Sequence, residues 1–184
     1  VLTSIPNWEG LHPILVHFPI ALLLVAPLLI AATVIFEKHA RVLSVVTLCL
    51  IAIGTTAAFL AEQSGEAAAR NAQLPAQASS VLERHEELAE LTVKIFAALL
   101  VVYGAITAAS IVFGANLPRG VRLVLNLGFL MLYVGGGGML AKTAHAGGKL
   151  VHQYGVRNID AVLASPAPRM ALIESHANRD HDDD

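Results

Sequence analysis

The chain is short of charge. Asp, Glu, Lys and Arg make up 14% of its 184 residues, where a soluble domain carries about 25%. With 55% hydrophobic residues and a mean hydropathy of +0.64, that deficit excludes an ordinary soluble domain and points to an integral membrane protein. Aromatic residues are scarce at 5%, and the net charge is −2. No basic cluster is present, so nothing suggests nucleic acid as a partner. The single cysteine, Cys49, lies inside an apolar run and has no partner within the chain. It reads as a small core or lipid-facing residue. With one cysteine there is no CxxCH motif, which excludes covalent c-type haem attachment. Val1 stands where an initiator Met would be, so the expectation is a trimmed or processed start. VLTSIPNWEG has no basic n-region and does not read as a signal peptide.

Strand alternation is also missing, and Ala, Leu and Ile dominate four long apolar runs, at about 13–36, 42–60, 91–113 and 121–141. A helix needs roughly 20 apolar residues to cross about 30 Å of hydrocarbon. The fold class expected is therefore all-α, a four-helix transmembrane bundle. Residues 1–155 would form the bundle and 156–184 a polar C-terminal tail. Connections one-to-two (EKHAR) and three-to-four (GANLPRG) are short, so successive helices should be antiparallel neighbours. The second connection, about 62–84, is long. Its EQSGEAAARNAQ part is amphipathic and fits an extension of helix two. LPAQ breaks it, and SSVLERHEEL restarts a helix, with Ser80 and Glu83 in capping-box spacing.

Lys38 and Arg41 occupy the first short loop, and Arg119 and Arg122 the last. The positive-inside rule turns those loops to the cytoplasm. Both termini would then be periplasmic, in a bacterial inner membrane, with Trp8 as an interfacial anchor. The tail, ending HANRDHDDD, has too little apolar content to bury itself. The expectation is that it packs on a partner chain, the alternative being disorder.

Five of the eight histidines should gather on the outer side. His12 and His17 open span one, His85 precedes span three, and His145 and His152 follow span four. Histidine is costly in a bilayer, and imidazoles on neighbouring helices bind haem or a metal ion inside bundles. His12 and His17 are five residues apart and differ in azimuth at 100° per residue. Pro13 suits the first helical position, and Pro19 should bend the helix one turn in. Plain readings stand beside these: His12 as an interfacial residue hydrogen-bonded to loop backbone, His85 as a solvated cap residue, and His145 and His152 as part of a polar turn ending helix four. Glu90 and Lys94 read as an i, i+4 ion pair. Gly147 and Gly148 make an unbroken helix between His145 and His152 doubtful. The run Gly135–Gly138 permits close helix packing or leaves room for a flat macrocycle.

HPILVHFPIALLL, the histidine before helix three and HAGGKLVHQYGV resemble the DUF2231 family of predicted four-helix membrane proteins, over about residues 10–157. The matching positions are His12, Pro13, His17, Phe18, Pro19, His85, His145, Gly147, Gly148, Leu150 and His152. Some relatives carry a tyrosine near position 152 and a histidine near 154. Members joined to cytochrome c-like or Rieske-like domains imply a redox setting.

The first expectation is a b-type cytochrome-like subunit that binds haem b near the outer face and relays electrons. It would be an electron-transfer or accessory subunit rather than an independent enzyme. His17 and His85 are the favoured axial pair, with His145 competing for either place; a second haem would take His12 and His152. Arg84 and Lys142, with Arg70 and Lys149, lie on the side where propionates would need cations. Expected partners are other subunits of a respiratory or photosynthetic complex, membrane lipid, a quinol and a periplasmic cytochrome. Two alternatives stand beside this: a Cu, Zn or Fe ion held by His17, His85 and His145 with Glu87, and a cofactor-free anchor or assembly subunit whose histidines make interhelical hydrogen bonds.

Overall fold

The computed structural model describes residues 8–70, 75–114 and 118–155. The tail from 156 onward, with its expected partner contact, lies outside the described residues. Among those described, the chain is helical and holds no strand. A 3-10 turn (Trp8–Leu11) leads into the short α1 (His12–Leu15), followed by α2 (His17–Ile35), α3 (Ala40–Arg70), α4 (Ser79–Val112) and α5 (Arg119–His152). Four stretches, His12–Ile35, Glu37–Arg70, Ser79–Val112 and Arg119–His152, are long and apolar enough to cross a membrane. Their outward faces are strongly apolar, with Met131, Val112 and Val101 exposed by 75%, 74% and 72%. Cys49 is on that exposed surface.

The break between α1 and α2 has a cause in sequence. Pro19 has no N–H for the carbonyl of Leu15, four residues back, and its ring crowds that carbonyl. The helix yields at Val16, and the next bond, from Ile20 N to Val16 O, is stretched to 3.5 Å. Pro27 leaves a second orphan, the carbonyl of Leu23, and does not break α2. Here the phenol of Tyr133 on α5 donates a 2.9 Å hydrogen bond to Leu23 O. An unpaired carbonyl in an apolar bundle is expensive, so one tyrosine both mends α2 and ties it to α5. Tyr133 also joins the buried aromatic column Phe96, Tyr133, Phe129, Tyr103, whose successive ring centroids lie 5.5, 5.9 and 4.7 Å apart.

Two expectations about helix ends are revised. The N-cap of α4 is Ala78, with no side-chain cap bond, so the Ser80–Glu83 capping box is not formed and Ser80 lies inside the first turn. On α5, Gly147 and Gly148 leave the helix continuous to His152; packing against α4 holds what propensity alone would weaken. The extension of helix two is present, α3 running to Arg70. The helices α4 and α5, of 34 residues each, are about 50 Å long at 1.5 Å per residue, against about 30 Å of hydrocarbon.

The two helical hairpins, α2–α3 and α4–α5, repeat one pattern. A single sequence offset carries Pro19, Leu23, Ala26 and Ile30 of α2 onto Thr92, Phe96, Leu99 and Tyr103 of α4; all eight are buried. A second offset carries Ser44, Thr47, Ile51, Gly54, Ala58 and Ser64 of α3 onto Asn126, Phe129, Tyr133, Gly136, Leu140 and Ala146 of α5, again all buried. Within each hairpin one of these glycines lets the helices touch. A Cβ on Gly54 would lie 2.7 Å from Leu23, and one on Gly136 would lie 2.8 Å from Leu99. In the four-glycine run, Gly136 serves close packing, while Gly135, Gly137 and Gly138 face open space. Both α2 and α4 pack against α3 and α5, the arrangement of an approximate two-fold along the bundle.

Candidate functional site

The same two offsets govern the histidines. They carry His12 onto His85, Ala61 onto Thr143 and Gly65 onto Gly147. In the first hairpin, His12 Nδ1 lies 2.9 Å from Ala61 O and 3.2 Å from Ser64 Oγ. In the second, His85 Nδ1 lies 3.0 Å from Thr143 O. A carbonyl only accepts, so in each ring Nδ1 carries the proton and donates. Each imidazole then lies on the glycine one turn further along. A Cβ on Gly65 would come within 2.8 Å of His12 Cε1, and one on Gly147 within 3.0 Å of His85 Cε1. Only glycine lets a ring lie this close to a helix. Thr143 is itself fixed, its Oγ1 2.8 Å from Thr92 Oγ1 and 3.1 Å from the carbonyl of Leu88.

Both rings line one cavity of about 790 Å³ at the end of the bundle where α3, α4 and α5 run past their apolar stretches. Its walls are largely small or apolar, including Pro13, Ile20, Ala58, Ala68, Ala89, Leu140 and Leu150. Around them stand Glu62, Glu66, Glu83, Glu86, Glu87 and Glu90, with Arg70 as the cation. Among the described residues, neither His12 nor His85 has a hydrogen-bond partner at Nε2.

The residues singled out from sequence divide sharply. His12 and His85 come together. His17 does not join them: it is exposed, its Nδ1 donates to Pro13 O at 2.6 Å, and it is absent from the cavity wall. The expectation that His17 and His85 face one cavity matched their depth but not their azimuth: five residues on from His12, His17 lies about 140° around the helix from it. His145 is exposed because it sits two residues from both Thr143 and Gly147, about 200° around α5 from each. His152, at the end of α5, is exposed too. Arg84 pairs with Glu87 at 3.2 Å, and Arg84, Lys142 and Lys149 are outside the wall. Glu90 and Lys94 pair as expected. Three acceptors were missed in sequence: the carbonyls of Ala61 and Thr143, which no side-chain motif reveals, and the hydroxyl oxygen of Ser64. The signal that pointed to them was the parallel between AEQSG and TAHAG, each ending on the glycine beneath a histidine.

Four apolar helices, with a largely apolar cavity rimmed by glutamates at one end, define a four-helix membrane protein. A family model described as "Predicted membrane protein (DUF2231)" matches residues 9–160, and the chain belongs to that family. No curated protein and no solved structure matches it.

Proposed function

We propose that the protein is a b-type cytochrome-like membrane subunit that holds one haem b between His12 and His85. The observation that carries this reading is the matched pair of imidazoles, each with Nδ1 pinned to a helix carbonyl and Nε2 left free at one cavity. A second-sphere bond of this kind fixes tautomer and ring orientation and raises the basicity of the other nitrogen. The fit to a porphyrin rests on the donor set, on the small residues of the wall and on its apolar character, which suits a flat macrocycle better than a bare ion. Haem so held would supply one-electron chemistry. The chain's own residues do the rest: His12 and His85 ligate, Gly65 and Gly147 seat the rings, and Arg70 is placed for a propionate. In this reading His17, His145 and His152 are not ligands, and a second haem has no second pair to hold it.

The acidic rim favours a second reading, in which the two imidazoles and a carboxylate hold a Cu, Zn or Fe ion. Against it, no three His, Cys, Asp or Glu among the described residues are grouped as a metal site. The basic loops support an inner-membrane orientation with the haem end periplasmic. Electrons would then pass between a membrane quinol and a periplasmic carrier, with other subunits of a membrane complex as partners. The test is the absorption spectrum of protein purified from haem-replete cells. A low-spin b-type spectrum is expected in the wild type, lost in His12→Ala and His85→Ala and kept in His17→Ala. Wild-type protein without haem overturns the reading; bound metal in its place supports the second.

A further inference from the structure

The opposite end of the bundle holds a second cavity, of about 580 Å³, between the last turns of α2 and α4 and the first turns of α3 and α5. Four cations line it: Lys38, Arg41, Arg119 and Arg122. One carboxylate, Glu37, also lines it and is ion-paired with Arg119. Among the described residues, the other three cations have no carboxylate paired with them. Here two cations come from each hairpin and line one space, with Lys38, Arg41 and Arg119 exposed and Arg122 half-buried. The floor is polar and fixed: Thr33 donates to Asn126 Oδ1 at 3.1 Å, and Asn126 Nδ2 donates to Arg122 O at 2.9 Å. Outside, exposed Ile35, Phe36, Val42, Val112 and Phe113 surround the opening. Like charges gathered around one space are relieved by an anion, and an apolar apron beside them suits acyl chains.

We propose that this cavity binds the phosphate headgroup of an anionic phospholipid, with Arg41 and Arg122 as the main phosphate ligands and Lys38 and Arg119 supporting them. Guanidinium groups match phosphate with paired donors, and basic pockets between transmembrane helices bind anionic headgroups. The site is independent of the histidine cavity and of any haem.

The experiment is native mass spectrometry and thermal unfolding of the purified full chain in detergent, with phosphatidylglycerol, phosphatidylcholine or inorganic phosphate added. Phosphatidylglycerol should remain bound and raise the unfolding temperature, while phosphatidylcholine does neither. Two lost cations weaken binding by roughly thirtyfold, which is the loss expected for R41Q/R122Q. The variant K38Q/R119Q gives a second measurement where the first folds poorly, with a loss in the same direction. Equal retention of the two lipids overturns the proposal, as does undiminished phosphatidylglycerol binding in both variants. A full effect from inorganic phosphate alone overturns the lipid assignment.

Discussion

Replacing Gly65 by alanine opposes two effects of similar size, and the site separates them. In the middle of a helix, glycine to alanine stabilises by about 0.5–1 kcal/mol. At Gly65 the new Cβ would stand 2.8 Å from His12 Cε1, where carbon atoms in contact prefer about 3.5–4.0 Å. The ring must retreat by roughly an ångström. Its bond to Ala61 O, now 2.9 Å, is then stretched past the useful range, at a cost of about 0.5–1.5 kcal/mol. Unfolding stability should therefore change little. On the haem reading, ligand binding should not be spared, because the imidazole is no longer held: with about 1 kcal/mol of preorganisation gone, haem affinity should fall by about fivefold. Gly148→Ala is the control. Nothing lies within 4 Å of a Cβ there, so it should gain the helix term and leave the site alone. Haem titration and thermal unfolding of the two variants, side by side, make the measurement. If Gly65→Ala gains the same stability as Gly148→Ala and keeps wild-type affinity, His12 is not seated on Gly65 and the reasoning fails.

Tyr133→Phe should destabilise by about 1–2 kcal/mol, since it orphans the Leu23 carbonyl that Pro27 already deprived of its donor; denaturant unfolding reads this, and a neutral result would mean water or another donor replaces the phenol. Thr143→Val removes the hydroxyl that bonds Thr92 and Leu88 and, on the haem reading, should shift the absorption spectrum while His12-side contacts persist; an unchanged spectrum would count against His85 as a ligand. Gly136→Leu should disrupt insertion or folding far more than Gly135→Leu, because only the former meets Leu99 at 2.8 Å; equal yields would refute close packing of α5 on α4. A cysteine at position 39, in the loop between α2 and α3, should resist an impermeant reagent added outside; labelling there would reverse the proposed orientation.

How much was legible follows from which physical quantity each feature depends on. The four spans rest on composition summed over long windows, so they stood out, as did the Glu90–Lys94 pair, which needs only helical spacing. Pro19 foretold a break because the missing N–H is written in the residue itself. The histidine pair was different. Depth along the membrane can be counted from sequence, and it brought five imidazoles to one end. Azimuth is a separate quantity: five residues at 100° each put His12 and His17 about 140° apart, and which of the two faces the cavity depends on how the helix is rotated in the bundle. The decisive partners of His12 and His85 are backbone carbonyls and two glycines, groups that carry no chemistry of their own in a motif search. They become visible only when the chain is aligned with itself, Gly65 under Gly147 and Ala61 under Thr143. That repeat also explains why two residues so far apart in sequence meet at all. Each hairpin builds the same half-site, a histidine at the start of its first helix and a carbonyl and glycine near the end of its second. An approximate two-fold then brings the halves to one cavity, so its wall carries two equivalent imidazoles without either hairpin having to hold both.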